Sequence, residues 1–421
     1  MDIEKEIRKF ALKNAVKFEG NANPGAVIGK IVSSFPELKK DIKKIVLKVA
    51  KLVKEVNKMS LEEQLEEIEM IAPELLVEEK KKKEKKLPEL PEVVKGKVVT
   101  RLPPEPSKYL HIGHALSFLI NYLYAEKYDG KCILKFEDTN PEKCKKEFAD
   151  AMEDDIINYL GIDVSKIVYI SDDMDYMLKK AEELIERDKA YVCFCDREKM
   201  RDLRHSGEPC ECRKQSPEEN MKFWESMKNR KYKEGEAVLR LKGDMESENH
   251  VMRDPVLFRI LYKEHFRHKD KYCVWPLYDF ENAVEDCRYG VTHILRSKEF
   301  GSMRNELQNY IKDLFGWDKQ VITHYGRINI QGTISSGRKI RELIEQKKVS
   351  GWDDPSLVTL KALKRRGIVK EALYDLVYEV GLSLAETNID WTVLSSLNRQ
   401  ILDPKVDRYF FIEDPVKIQI K

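Results

Sequence analysis

Apolar positions recur at helical spacing early in the chain. Ile42, Ile45, Val46, Val49, Leu52, Val53 and Val56 fall at i, i+3, i+4, i+7, i+10, i+11 and i+14. That spacing predicts a helix with one apolar stripe. Lys44, Lys48 and Lys51 lie on the other face, which reads as a solvated face or as an RNA-facing one. The Gly/Asn/Pro-rich residues 20–25 ahead of it read as a loop. Six of the seven residues 80–86 are Lys, and Leu87-Pro88-Glu89-Leu90-Pro91 follows. A charge run leading into prolines predicts a solvated linker, with a domain boundary near 88.

Beyond 88 the pattern alternates between two periods. Strand-like runs at 97–101, 132–137, 166–170 and 190–195 are separated by helical patterns at 110–128, 141–160 and 172–188. Asn140 followed by Pro141 reads as the N-cap and first residue of the second helix. Such alternation predicts an α/β fold with a doubly wound, Rossmann-like parallel sheet. Ligands on these sheets sit at the carboxyl ends of strands, where Arg101 and Glu137-Asp138 fall. Residues 196–270 break the alternation with a Lys/Arg/Glu/His-rich stretch and a strand at 237–242, which reads as an inserted module. Strands at 272–275 and 291–296 are expected to resume the parallel sheet. A Gly/Ser loop and helices follow from 332, with strand-like alternation at 409–412 and 416–420.

Composition narrows the function classes. The 421 residues carry 76 Lys plus Arg and 74 Asp plus Glu, a formal net charge of +2. This excludes a uniformly basic nucleic-acid coat but not a local nucleic-acid surface. Residues 142–188 hold 14 acidic and 7 basic side chains, whereas 332–370 hold 10 basic and 4 acidic ones. The small net charge is therefore a cancellation. No apolar run spans a bilayer and no h-region follows the N-terminus, so no membrane contact is predicted and a cytoplasmic location is expected.

Two clusters carry chemistry. Arg101-Leu102-Pro103-Pro104-Glu105-Pro106 precedes His111-Ile112-Gly113-His114. The prolines hold the turn extended, which places the His pair on the first turn of a helix. Helix amides and the positive dipole end favour phosphate there, and Gly113 permits close backbone approach. Two imidazoles can stabilise charge developing on a nucleotide α-phosphate. The second cluster is Cys193-Phe194-Cys195 and Cys210-Glu211-Cys212. Two close pairs of thiolates suit tetrahedral zinc, and four ligands make the site structural. Arg201, Arg204 and Arg213 nearby would lower thiol pKa values and can face RNA.

The wider pattern Arg-x-x-Pro-Glu-Pro-x-x-x-Leu-His-Ile-Gly-His resembles the nucleotide-binding motif of class I aminoacyl-tRNA synthetases, in its glutamyl/glutaminyl form. Residues 136–141 (Phe-Glu-Asp-Thr-Asn-Pro), 253–256 (Arg-Asp-Pro-Val), 276–280 (Pro-Leu-Tyr-Asp-Phe) and 351–355 (Gly-Trp-Asp-Asp-Pro) extend the resemblance over about 97–420. The archaeal and eukaryotic glutamyl branch is the most similar. The resemblance implies a catalytic domain split into 89–192 and 272–330 around a tRNA acceptor-binding module at 193–271. It also implies an N-terminal helical domain and linker over 1–88, a signature loop and helical stem-contact domain over 331–400, and the start of an anticodon-binding β-barrel over 401–421. The barrel is left unfinished, as in a truncated chain.

The implied activity is ATP-dependent ligation of L-glutamate to tRNA through a glutamyl-adenylate. Magnesium accompanies ATP, and the enzyme is expected to be a monomer. tRNA-Glu is the implied partner, with tRNA-Gln open. Three alternatives stand beside it: a glutaminyl-tRNA synthetase, a shortened glutamyl-transferring paralogue that modifies a tRNA base, and a catalytically silent tRNA-binding scaffold of the same fold. In the resemblance Pro104, Glu105, His111, Gly113, His114, Ser336 and Lys339 meet ATP. Arg101, Glu137, Asp138, Tyr278, Asn282 and Arg296 surround the amino acid, with the two acidic groups holding its ammonium. Arg296 is the discriminator, because a guanidinium pairs with a side-chain carboxylate and finds no anion on glutamine. The signature loop departs from the family's Ser-Lys-Arg-Lys form: it reads Ile334-Ser335-Ser336-Gly337-Arg338-Lys339, with Gly337 where lysine is expected. Lys339 is the first candidate for the pyrophosphate contact and Arg338 the second.

Overall fold

The protein is described from a computed structural model. It covers residues 3–35, 38, 42–75, 87–334, 336–381, 383–409 and 411–416. The linker expected at 80–86, Ser335, and most of the strand expected at 416–420 lie outside the described residues. The chain divides into two compact units, 1–85 and 86–421.

The first unit is helical. Helices α1 (Ile3–Lys17), α2 (Pro24–Ser34), α3 (Ile42–Val56) and α4 (Leu61–Ile71) share one apolar core. In α3 the buried set is Ile45, Val49, Val53 and Val56, while Ile42 and Val46 are more than one-third exposed, so the stripe is narrower than its periodicity suggested. The expected loop at 20–25 is shorter too. Asn23 caps α2 by accepting from the Ala26 amide at 3.2 Å, and Pro24 opens the helix. Proline suits that position because its missing N–H has no helical acceptor there. Lys48 of the polar face pairs with Glu4 at 2.8 Å.

The second unit begins with β1 (Val99–Leu102), α5 (Ile112–Lys127), β2 (Lys131–Phe136), α6 (Lys146–Asp154) and β3 (Lys166–Tyr169). The three strands are parallel, in the order β1-β2-β3. The α5 helix is apolar on most sides and packs into the largest core. It also ties strands together: Asn121 donates from Nδ2 to Leu295 O at 3.1 Å, while Thr100 Oγ1 donates to Asn121 O at 2.9 Å.

Three expectations fail in this region. The helix expected from 141 starts at 146, because residues 140–144 form a turn whose exit is held by Lys145 N donating to Pro106 O at 3.0 Å. Asn140 therefore caps that turn rather than the helix, accepting from the Glu142 amide at 3.3 Å. The strand over 190–195 does not extend the parallel sheet. After α7 (Met174–Glu186), strand β4 (Ala190–Cys193) opens an antiparallel sheet. The Cys-containing stretch carries α8 (Arg197–Ser206) and α9 (Pro217–Lys228), then β5 (Val238–Leu241) and β6 (Val256–Ile260). Strand β7 (Val274–Pro276) pairs antiparallel with β6 and closes this second sheet, so 272–275 does not resume the first. Period-two patterning marks a strand but not its partner, which long-range packing chooses.

Parallel pairing returns after α10 (Tyr278–Arg288), in β8 (His293–Ser297), α11 (Gly301–Phe315) and β9 (Val321–Tyr325). Thr292, just before β8, donates its amide to Val99 O at 2.9 Å and sets β8 beside β1. Then come β10 (Ile328–Ile330), α12 (Gly337–Glu345), α13 (Leu360–Arg365), α14 (Lys370–Val380), β11 (Thr387–Ile389) and α15 (Trp391–Leu402). β10 and β11 pair in parallel. Around 409–412 the described residues form no strand, and Tyr409 and Phe411 are exposed. Among the described residues no helix is long and apolar enough to cross a membrane.

Candidate active site

A cavity of about 590 Å³ opens where β1, β8 and the start of α5 converge. Its floor is built by local sequence. The prolines at 103, 104 and 106 forbid early helix, so α5 starts only at Ile112 with His111 as its cap. The two imidazoles then satisfy the first amides of the helix. His111 Nδ1 accepts from Gly113 N and His114 Nδ1 accepts from His111 N, each at 3.1 Å. An accepting Nδ1 is deprotonated, so in a neutral ring the proton sits on Nε2. Burial, with Lys108 and Arg327 adding repulsion, pushes His111 down to about 3. Burial pushes His114 well below the usual range as well. Both rings are therefore neutral near pH 7 and hold Nε2–H donors, with ring centroids 3.8 Å apart. Gly113 serves the cap as well as any ligand: a Cβ there would lie 3.0 Å from His111 Cε1.

Arg101, Tyr278 and Arg296 line one end of this cavity. Arg296 closes β8 and is buried, with Nη1 donating to Gln308 Oε1 at 3.4 Å. Gln308 is fixed in turn by Asp279, to which it donates at 3.1 Å. Burial lowers the Arg296 pKa, the signature of a cation whose charge gains from an incoming anion. Arg101 Nε lies 3.5 Å from Asp286 Oδ1. The same carboxylate oxygen accepts from Lys135 Nζ at 2.5 Å. Burial would raise the Asp286 pKa, but Lys135 and Arg101 hold it below the usual range. Lys135 also donates to Asn282 Oδ1 at 2.9 Å, so Asn282 holds a neighbouring cation.

The two acidic candidates separate. Glu137 sits in the field of Lys135 and Arg101. Asp138 is fully buried and turned away. Its carboxylate accepts from Ser171 N at 2.9 Å and Ser171 Oγ at 2.6 Å, and its carbonyl meets His265 Nε2 at 2.8 Å. Neither carboxylate lines the cavity, and Ser171, just after β3, claims both oxygens of Asp138. Burial raises it to about 7 against the Ser171 bonds. Sequence reasoning missed Lys135, Asp286 and Gln308. Lys135 and Asp286 offered only a faint signal, a charged residue inside an otherwise apolar strand or helix face.

At the other end Lys108, Arg327, Asn329, Thr333 and Ser336 line the wall. Neither Pro104 nor Glu105 lines the cavity: Pro104 is buried, and Glu105 is exposed and accepts from Ser107 Oγ at 2.7 Å. Arg338 and Lys339 are not brought to the cavity. Both face solvent on α12, and Arg338 pairs with Glu342 at 3.0 Å. Lys108 and Arg327 are the cations that meet the space near the histidines, and neither was singled out from sequence.

The cysteines converge as expected. The four Sγ atoms lie within 4.8 Å of one another, and Cys193 and Cys210 are 3.8 Å apart. Tetrahedral zinc with Zn–S of about 2.3 Å requires S···S near 3.8 Å, so the donor set fits. The arginine against the sulfurs is Arg240, whose Nη1 is 3.7 Å from Cys193 and 3.6 Å from Cys210. Arg201, Arg204 and Arg213 are bound elsewhere, to Asp202, His250 O and Asp254. The Cys193 hydrogen bond, with Tyr191 and Arg240 behind it, brings Cys210 down to about 4.

The family described as "tRNA synthetases class I (E and Q), catalytic domain" matches residues 97–404. The chain is 45% identical to a protein of Pyrococcus furiosus named glutamate--tRNA ligase, across 100% of this chain and 74% of that one. It is 41% identical to the glutamate--tRNA ligase of Methanosphaera stadtmanae, with the same coverage. The solved glutamate-tRNA synthetase of Elizabethkingia anophelis shares the fold at a TM-score of 0.52 and 19% identity, over 73% of this chain and 71% of that one.

Proposed function

Because the chain belongs to the class I tRNA synthetases for glutamate and glutamine, we propose that it ligates L-glutamate to tRNA at the expense of ATP. A glutamate carboxylate oxygen attacks the α-phosphorus of ATP. The bond to the bridging oxygen breaks, pyrophosphate leaves, and glutamyl-adenylate forms. The terminal ribose hydroxyl of tRNA then displaces AMP. The residues contribute placement and charge stabilisation. His111 and His114 aim neutral Nε2–H donors at the reacting phosphate. Magnesium accompanies the triphosphate.

The observation that carries the amino-acid assignment is the buried Arg296 on the wall of the cavity that holds the histidine pair. A carboxylate entering there gains charge-assisted bonds from the guanidinium that a neutral amide cannot match. Arg101 and Tyr278 frame the same pocket. Glu137 takes the substrate ammonium in place of Asp138, whose oxygens are committed. ATP–pyrophosphate exchange tests this reading, run with glutamate or glutamine and with tRNA-Glu or tRNA-Gln. Exchange with glutamate alone is expected. Exchange with glutamine would move the assignment to the glutaminyl branch, and no exchange with either would favour a silent tRNA-binding scaffold.

Cys193, Cys195, Cys210 and Cys212 would hold a structural zinc that ties β4 to the loop after α8. One metal per chain in elemental analysis, lost in Cys210→Ser, is the expected result. The antiparallel module between β4 and β7 would meet the acceptor end of tRNA, and the cationic 332–370 segment its phosphates. Binding would therefore weaken steeply with salt.

A further inference from the structure

Position 337 offers no ammonium, yet the space its side chain would fill is occupied. A Cβ built on Gly337 would stand 2.8 Å from Lys108 Cδ, with Lys108 Cβ and Cγ at 3.5 and 3.7 Å. The methylenes of Lys108 thus lie across the bare backbone at the start of α12. Lys108 comes from the turn that precedes the histidine pair and lines the same cavity. Resting on the ligase reading, we propose that Lys108 delivers to the β- and γ-phosphates of ATP the charge that residue 337 lacks, and that position 337 is glycine so that this lysine can cross it.

Several observations converge. Among the described residues the Lys108 ammonium makes no hydrogen bond or ion pair, while Arg327 on the same wall is tied to Glu299 at 2.8 Å. Lys108 is half-buried and lines the cavity, so packing holds its stem. Lys108 and His111 line the same cavity, and the lysine's charge helps hold the His111 pKa down. Arg338 and Lys339 point to solvent on the far side of the helix start. Ser336, the residue before α12, also lines the cavity and makes no side-chain cap bond. The turn and the loop therefore meet as one surface: Lys108 supplies charge and Gly337 supplies room.

The test measures binding of ATP, inorganic pyrophosphate and AMP to the full chain by calorimetry, beside glutamate-dependent exchange. In Lys108→Ala, ATP and pyrophosphate should weaken by about 10- to 100-fold, the range of a charge-assisted hydrogen bond. AMP affinity should stay unchanged, and Lys108→Arg should recover part of the loss. ATP affinity within twofold of wild type would overturn the proposal. So would a parallel loss of AMP, which marks a merely structural lysine. Gly337→Lys alone should also weaken ATP, since its Cβ displaces Lys108. Lys108→Gly combined with Gly337→Lys should regain what Lys108→Gly loses, and no recovery would refute the exchange of one ammonium between the two positions. Binding needs no turnover. Absent exchange in the wild type would therefore sink the ligase reading while leaving this one measurable.

Discussion

At one end of the cavity Arg101, Lys135 and Arg296 are buried and braced by Asp286, Asn282 and Gln308. At the other end Lys108 and Arg327 are partly solvated, while Arg338 and Lys339 stand in water away from the cavity. Both ends offer cations to anions, but they do so under different dielectric conditions. A buried guanidinium discriminates strongly because an uncharged ligand cannot offset its desolvation with a charge-assisted bond. Solvated lysines discriminate little, but they can follow a phosphate chain that changes shape as pyrophosphate leaves. The amino-acid end is thus built for specificity and the phosphate end for adaptable charge.

Removing the brace should give the largest effect. Asp286→Ala strips the shared counter-ion from Lys135 and Arg101, and breaking a buried ion pair costs about 3–5 kcal/mol. Denaturant unfolding should show this loss. A cost under about 1 kcal/mol would mean the cluster is not desolvated in solution, and the contrast between the two ends would collapse. Next, Arg296→Met should lower kcat/KM for glutamate by about 100-fold, by loss of a charge-assisted contact. Its ATP affinity should be retained, and full glutamate preference in steady-state kinetics would refute the role of Arg296.

The histidines between the two ends supply a pH test. The His111 pKa is about 3 in the fold, against roughly 6.5 unfolded. Between these values the unfolded chain binds the extra proton and the native one does not, so stability falls as pH falls from about 6.5 toward 3. His111→Asn should show a shallower acid slope in thermal melts over that window. Identical slopes would mean that the ring is protonated in the fold. The smallest effect belongs to the solvated face. Arg338→Ala should change stability by less than about 1 kcal/mol, since exposed i,i+4 pairs contribute little. Lys339→Ala should weaken ATP binding far less than Lys108→Ala, as titration calorimetry would show.

The sequence alone marked out the histidine pair and the four cysteines, because each belongs to a short pattern whose geometry is local, whereas Arg296 came only from the family resemblance. Prolines ahead of a helix start fix where His111 and His114 fall, and two Cys-x-Cys pairs carry their own spacing. Strand periodicity likewise found β1, β2, β8 and most of their neighbours. It could not say that β4 and β7 turn antiparallel, since pairing is decided by long-range packing. Nor could it say which charged side chains near a motif reach the site. Asp138 looked like a substrate ligand until the residues after β3 took both its oxygens. Nothing in the pattern around Lys108 foretold that α12 would present a glycine beneath it. Local chemistry is written in the chain, but burial and charge pairing depend on which distant backbone arrives alongside, and only the tertiary structure decides that.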